Sequence, residues 1–100
     1  MAGSIAGAVA IVTGAGLNTG AVIARTLARE GVAVVVNYRG AAEGARATVA
    51  EIEAEGGRAI AFKADVTRPE EVTRLVARAV EAFGPIGILI NNANVRSYRP

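Results

Sequence analysis

Short apolar runs alternate with amphipathic stretches along the whole chain. The first run predicts a strand over about Ala8 to Val12, wholly apolar as suits a strand buried on both faces. Glycines interrupt it, and a helical pattern from about Thr19 to Glu30 follows, with Val22, Ile23, Thr26 and Leu27 on one side. Gly31 is placed to end that helix, since glycine accepts the left-handed conformation at a helix stop. Val32 to Asn37 is β-branched and almost entirely apolar, a second strand. An alanine-rich helix is predicted over Ala41 to Glu55, with Ala45, Val49 and Ile52 inward and Gly56-Gly57 as its stop.

Arg58 to Lys63 reads as a third strand. Thr67-Arg68-Pro69-Glu70 then has the capping-box pattern, with proline early in a first turn. Val72, Leu75, Val76, Ala79 and Val80 form the apolar stripe of the helix it opens, which stops near Gly84-Pro85. Ile86 to Ile90 is a fourth strand, and Asn91-Asn92-Ala93-Asn94 is its exit loop. The order βαβαβαβ, with helical crossovers, demands parallel strands and right-handed connections. The expected fold is a doubly wound α/β sheet of Rossmann type, one domain over residues 1–100. Its fourth strand would leave Ile88, Leu89 and Ile90 on an unpaired edge, which invites aggregation or pairing with another chain.

Composition narrows the function. A formal charge of +2, with the arginines spread along the chain, argues against a nucleic-acid-binding stripe. Without cysteine or histidine the chain has no disulfide framework, no thiolate metal site and no neutral-pH imidazole base, so no metal site is expected. The first basic residue is Arg25, so the apolar N-terminus lacks a secretory leader's charged start. No run is long enough to span a membrane. A cytoplasmic protein is the expectation.

The chemistry concentrates where strands end. Gly14-Ala15-Gly16-Leu17-Asn18-Thr19-Gly20 lies between the first strand and the first helix, the arrangement that points backbone N–H groups at a phosphate. Glycine suits such a turn because it accepts positive φ and permits close backbone approach. Tyr38-Arg39 follows the second strand, where an NAD-binding Rossmann domain places an acid for the ribose hydroxyls. No acid stands there. Arg39 can instead pair with a 2′-phosphate through a charge-assisted hydrogen bond, which favours NADP, with NAD the alternative.

The spacing of Thr13, Gly14 and Gly20 resembles the Thr-Gly-x-x-x-Gly-x-Gly fingerprint of the short-chain dehydrogenase/reductase family. Asn18 stands in place of the middle glycine, and asparagine enters the left-handed region more readily than most residues. The same stretch also reads as Gly-x-Gly-x-x-x-Gly, a variant of other dinucleotide folds. Asp65-Val66 is similar to the family's Asp-Val pair, which implies contact with adenine. Asn91-Asn92-Ala93-Asn94 is similar to its Asn-Asn-Ala-Gly motif, with Asn94 for the glycine. That resemblance implies that Asn92 and Ala93 lie against the cofactor ribose. It covers Gly7 to about Val95.

Membership implies reduction of a carbonyl or oxidation of an alcohol by hydride transfer with a nicotinamide, using a tyrosine, a lysine four residues later and a serine. No Tyr-x-x-x-Lys occurs here: Ala42 stands four residues after Tyr38, Tyr98 is near the end, and the only lysine is Lys63. No residue is assigned a catalytic role. The expectation is therefore the N-terminal cofactor-binding part of a longer oxidoreductase, whose small-molecule substrate and homo-oligomeric assembly belong to the full-length form. One alternative is a non-catalytic dinucleotide-binding module or sensor complete at residue 100. An inert remnant without ligand is the other.

Overall fold

The computed structural model describes residues 4–16 and 18–92. Seven elements follow in order: β1 (Val9–Thr13), α1 (Asn18–Arg29), β2 (Ala33–Tyr38), α2 (Ala42–Ala54), β3 (Ala59–Lys63), α3 (Pro69–Phe83) and β4 (Ile88–Asn91). The strands form one parallel sheet in the order β3-β2-β1-β4. Each element lies within two residues of its expected position at the start and end, as local apolar pattern dictates. The α/β Rossmann-type fold is as expected.

The order places β1 and β2 at the centre, and this is why their sequences are apolar at every position but the last ones. Ala10, Val12, Val34 and Val36 face one side, with Ala24 and Ala28 of α1 and Ala45 and Ile52 of α2. Ile11 and Val35 alternate to the other side, against Leu75 and Ala79 of α3. Burying a valine or isoleucine fully contributes about 1.5–3 kcal/mol, so the two central strands carry most of the fold. The registers Ile11↔Val35 and Ile11↔Leu89 align the C-terminal ends of β1, β2 and β4 along one edge.

Three details depart from the pattern read in the sequence. The inward face of α1 is Gly20, Ala21, Ala24 and Ala28, while Val22 is 52% exposed and the Thr26 hydroxyl donates to the Val22 carbonyl. Small residues win because they let the helix axis approach the sheet. On α2, Thr48 is buried beside Ala45 and Ile52, its hydroxyl satisfied by the Gly44 carbonyl, and Val49 packs at the margin. The third concerns the start of α3. Its N-cap is Arg68, not Thr67, and no side chain caps it; Pro69 occupies the first turn. Thr67 turns back instead, giving both its N–H and its hydroxyl to Asp65 Oδ1 at 3.0 and 2.6 Å.

Among the described residues only β1 pairs with β4, so the edge expected there is present. Leu89 is 65% exposed, and Val76 and Val80 of α3 are open on the same flank. A mainly apolar groove of about 310 Å3 runs between them, lined by Val66, Val72, Leu75, Val76, Ile86 and Leu89 among others.

Candidate functional site

The C-terminal edge of a parallel sheet is where α/β folds bind ligands, in the crevice at the switch point between strands. Here β1 leads to α1 on one side, and its neighbours β2 and β4 lie on either hand. The turn after β1 is built from two residues in the left-handed region, Gly14 at φ 64° and Asn18 at φ 56°. Asn18 takes up that backbone, as its place in the fingerprint requires. The first turn of α1 holds no acidic side chain, so the positive end of the helix stays uncompensated and suits an anion.

Backbone bonds stitch this turn to its neighbours. The Ala15 N–H donates to the Asn37 carbonyl at 3.0 Å, and the Ala64 N–H to the Tyr38 carbonyl at 2.9 Å. Asn37, 2% exposed, gives its amide to both the Phe62 and Ala64 carbonyls at 3.2 Å. It locks the ends of β2 and β3 together. Gly16 packs against Ala41, where a Cβ would sit 3.1 Å from the carbonyl oxygen. Gly20 is the tightest point: a Cβ there would overlap the Gly14 carbonyl oxygen and lie 2.7 Å from Asn92 Nδ2 and 2.9 Å from Ala15 Cα.

On the β4 side, Asn92 Nδ2 donates to the Gly14 carbonyl at 3.4 Å. The Thr13 hydroxyl reaches the Ile90 carbonyl and Asn91 Oδ1 at 3.3 and 3.2 Å. These bonds hold the exit of β4 against the glycine turn across 78 residues of sequence.

On the β3 side, Asp65 is 17% exposed and closely held. Its N–H donates to Glu71 Oε1 at 2.7 Å, and its Oδ1 takes both Thr67 bonds. Oδ2 faces Arg39 Nε at 3.7 Å and Arg68 Nε at 3.6 Å. The Thr67 hydroxyl, then the Thr67 N–H, then the two guanidiniums hold this carboxyl below the usual aspartate value.

The expected residues therefore gather on one edge: Gly14, Ala15, Gly16, Asn18, Thr19 and Gly20 in the centre, Tyr38, Arg39, Asp65 and Val66 on one hand, Asn92 on the other. They are not equivalent. Ala15 is fully buried and acts through its backbone, whereas Arg39 is 76% exposed. Val66 is half-buried and packs toward Ile11 and Leu75 on the side of the apolar groove. Leu17 and Ala93 lie outside the described residues. The sequence reading missed Asn37, Glu71 and Arg68. A lone asparagine closing an otherwise apolar run was the available sign for Asn37; the other two were hidden in an ordinary helix start.

A larger cavity than this groove, about 400 Å3, is elsewhere. Ala28, Val32, Ile52, Gly57 and Arg58 line it at the opposite end of the sheet, with the Arg29–Glu55 ion pair on its rim. Size does not mark the site here; the convergence of loop backbone and charge does.

The sequence model of the short chain dehydrogenase family matches residues 8–100. The chain belongs to that family. It is 45% identical over 97 residues to a hydroxynaphthalene reductase-like protein, Arp2, of Metarhizium guizhouense, covering 97% of this chain and 36% of the relative. An uncharacterized oxidoreductase of Methylorubrum extorquens is 48% identical over 92 residues, 92% of this chain and 37% of that protein. Among solved structures, a dehydrogenase/reductase of Sinorhizobium meliloti 1021 superposes with a TM-score of 0.89 at 45% identity, covering 97% of this chain and 38% of that one. A hydroxysteroid dehydrogenase of Escherichia coli gives 0.87 at 38% identity, over 96% and 40%. The short-chain dehydrogenase fold thus accounts for nearly all of this chain, while the chain spans little more than a third of the relatives' length.

Family membership implies a dinucleotide cofactor, and the site fits one. The phosphates would lie at the first turn of α1, where backbone N–H groups and the helix dipole favour an anion and no carboxylate opposes it. Among the described residues, no group of three His, Cys, Asp or Glu is placed to hold a metal ion, and no helix is long and apolar enough to cross a membrane.

Proposed function

We propose that this chain is the dinucleotide-binding part of an NADP-dependent oxidoreductase that reduces a carbonyl or oxidises an alcohol in its full-length form. The bound nicotinamide supplies the hydride chemistry. The residues of this chain bind and orient: Gly14 to Gly20 receive the pyrophosphate, Asp65 and the Val66 backbone the adenine, Arg39 the 2′-phosphate, Asn92 and Ala93 the second ribose. The catalytic acid/base and the substrate pocket belong to sequence beyond these residues. The full-length protein is read as a cytoplasmic homo-oligomer.

The observation that carries the cofactor choice is Arg39 at the end of β2. No acid occupies the ribose-recognising position there, and the guanidinium stands at the mouth of the crevice with most of its surface open. Its 3.7 Å approach to Asp65 is too long for a committed hydrogen bond, so its donors remain available. Titration of NADPH and NADH into the parent and Arg39→Ala tests this. Arg39→Ala should weaken NADPH about tenfold, as expected for one charge-assisted contact, and leave NADH almost unchanged. Equal losses would sink the NADP assignment.

A further inference from the structure

Asp65 Oδ2 gathers two guanidiniums from different parts of the chain. Arg39 reaches it from the end of β2, and Arg68 from the start of α3, at 3.7 and 3.6 Å. Neither distance is that of a tight hydrogen bond, and the two side chains are 76% and 61% exposed. The result is a pair of like charges drawn to one carboxylate oxygen, each with most of its side chain open.

The backbone of Arg68 is firmly placed. Its N–H donates to the Asp65 carbonyl at 3.0 Å, and its own carbonyl accepts the N–H groups of Glu71 and Val72 at 3.0 and 3.1 Å. The residue is the N-cap of α3. Arginine is a poor choice there on local grounds: it offers no acceptor to the first N–H groups and adds positive charge to the positive end of the helix. Glu70 and Glu71 offset part of that charge, with Glu71 Oε2 3.9 Å from Arg68 Nε. A position that breaks a local rule, and is held in place by Asp65, Glu71 and Val72 while its side chain stays open, is where function is to be sought.

We infer that Arg68 is a second specificity-determining residue for the 2′-phosphate, closing with Arg39 on the anion while Asp65 serves as the shared counter-ion that keeps both guanidiniums in reach. A dianionic phosphate relieves the repulsion between two cations, and the planar donor fork of each guanidinium matches phosphate oxygens. The inference rests on the NADP reading of this site. It adds a recognition element from α3 to one already assigned to β2.

The test uses two probes that differ only at the 2′ position, adenosine 2′,5′-bisphosphate and adenosine 5′-monophosphate, titrated into the full chain. The parent should prefer the bisphosphate. Arg68→Ala should weaken the bisphosphate about tenfold and the monophosphate less than about twofold, and Arg68→Lys, which keeps the charge but not the fork, should show a smaller loss confined to the bisphosphate. Equal losses for the two probes would place Arg68 on the adenine rather than the phosphate and overturn the inference, as would no loss for either. A parent that shows no preference, or binds neither probe, overturns the NADP reading and this inference with it. If the parent prefers the bisphosphate and Arg39→Ala abolishes that preference while Arg68→Ala keeps it, the clamp alone fails. Because Arg68→Lys keeps the charge and the backbone contacts, its result decides the matter even if the alanine variant folds poorly.

Discussion

Gly20→Ala tests whether close approach of α1 to the glycine turn holds the site together. On helix propensity alone the change should stabilise the chain by up to about 1 kcal/mol, because glycine is a poor helix former. The surroundings reverse the sign. The new methyl would overlap the Gly14 carbonyl and lie 2.9 Å from Ala15 Cα, where carbon atoms prefer about 3.5–4.0 Å. All three neighbours belong to the sheet edge, and two of them are backbone, so α1 must move away by at least about half an ångström. Overpacking of this kind costs about 1–3 kcal/mol, and overlap with backbone, which cannot swing aside, puts it at about 2–3 kcal/mol, so a net loss near 1–2 kcal/mol remains after the propensity gain. In urea, with a slope of about 2 kcal/mol/M, the unfolding midpoint should fall by roughly 0.5–1 M. Gly40→Ala is the control, since nothing lies within 4 Å of its added methyl; it should be neutral or slightly stabilising. A Gly20→Ala midpoint equal to or above that of the parent would refute the close-approach argument.

Two other predictions concern the β2–β3 edge. Asn37→Ala should destabilise by about 1–3 kcal/mol, because it leaves the Phe62 and Ala64 carbonyls without their amide donor, and Asn37→Asp should be worse, since it turns acceptors toward acceptors. Urea midpoints for the pair check this, and the reverse order would contradict the assigned donor role. The depressed carboxyl of Asp65 contributes stability above its unfolded value near 3.8, and that stability is lost as pH falls through the lower folded value. Asp65→Asn should therefore show a smaller drop in stability than the parent between about pH 6 and pH 3, an outcome that parallel acid titrations would contradict if both chains fell equally.

The alternation of four strands and three helices was legible because each element rests on neighbouring residues. Val32 to Val36 cannot form anything but a buried strand in this setting, and Gly31 and Gly56 stop helices by local backbone freedom, at φ 90° and 87°. The glycine turn was legible for the same reason, and with it the kind of ligand. What failed locally was side-chain direction. Val22 and Thr26 lie on the outer side of α1 because contact with the sheet favours Gly20 and Ala24, a choice set by the distance between layers rather than by hydrophobicity.

From the sequence by itself come the βαβαβαβ order, the parallel sheet and the location of the glycine turn, since periodicity, glycine placement and strand ends are properties of contiguous residues. Only the tertiary structure decided that Thr67 serves Asp65 instead of capping α3, that Asn37 ties two strands, and that Arg39 and Arg68 share one carboxylate oxygen. Those pairings join residues whose meeting depends on sheet order and on where each helix begins. No pattern along the chain encodes the distance between them.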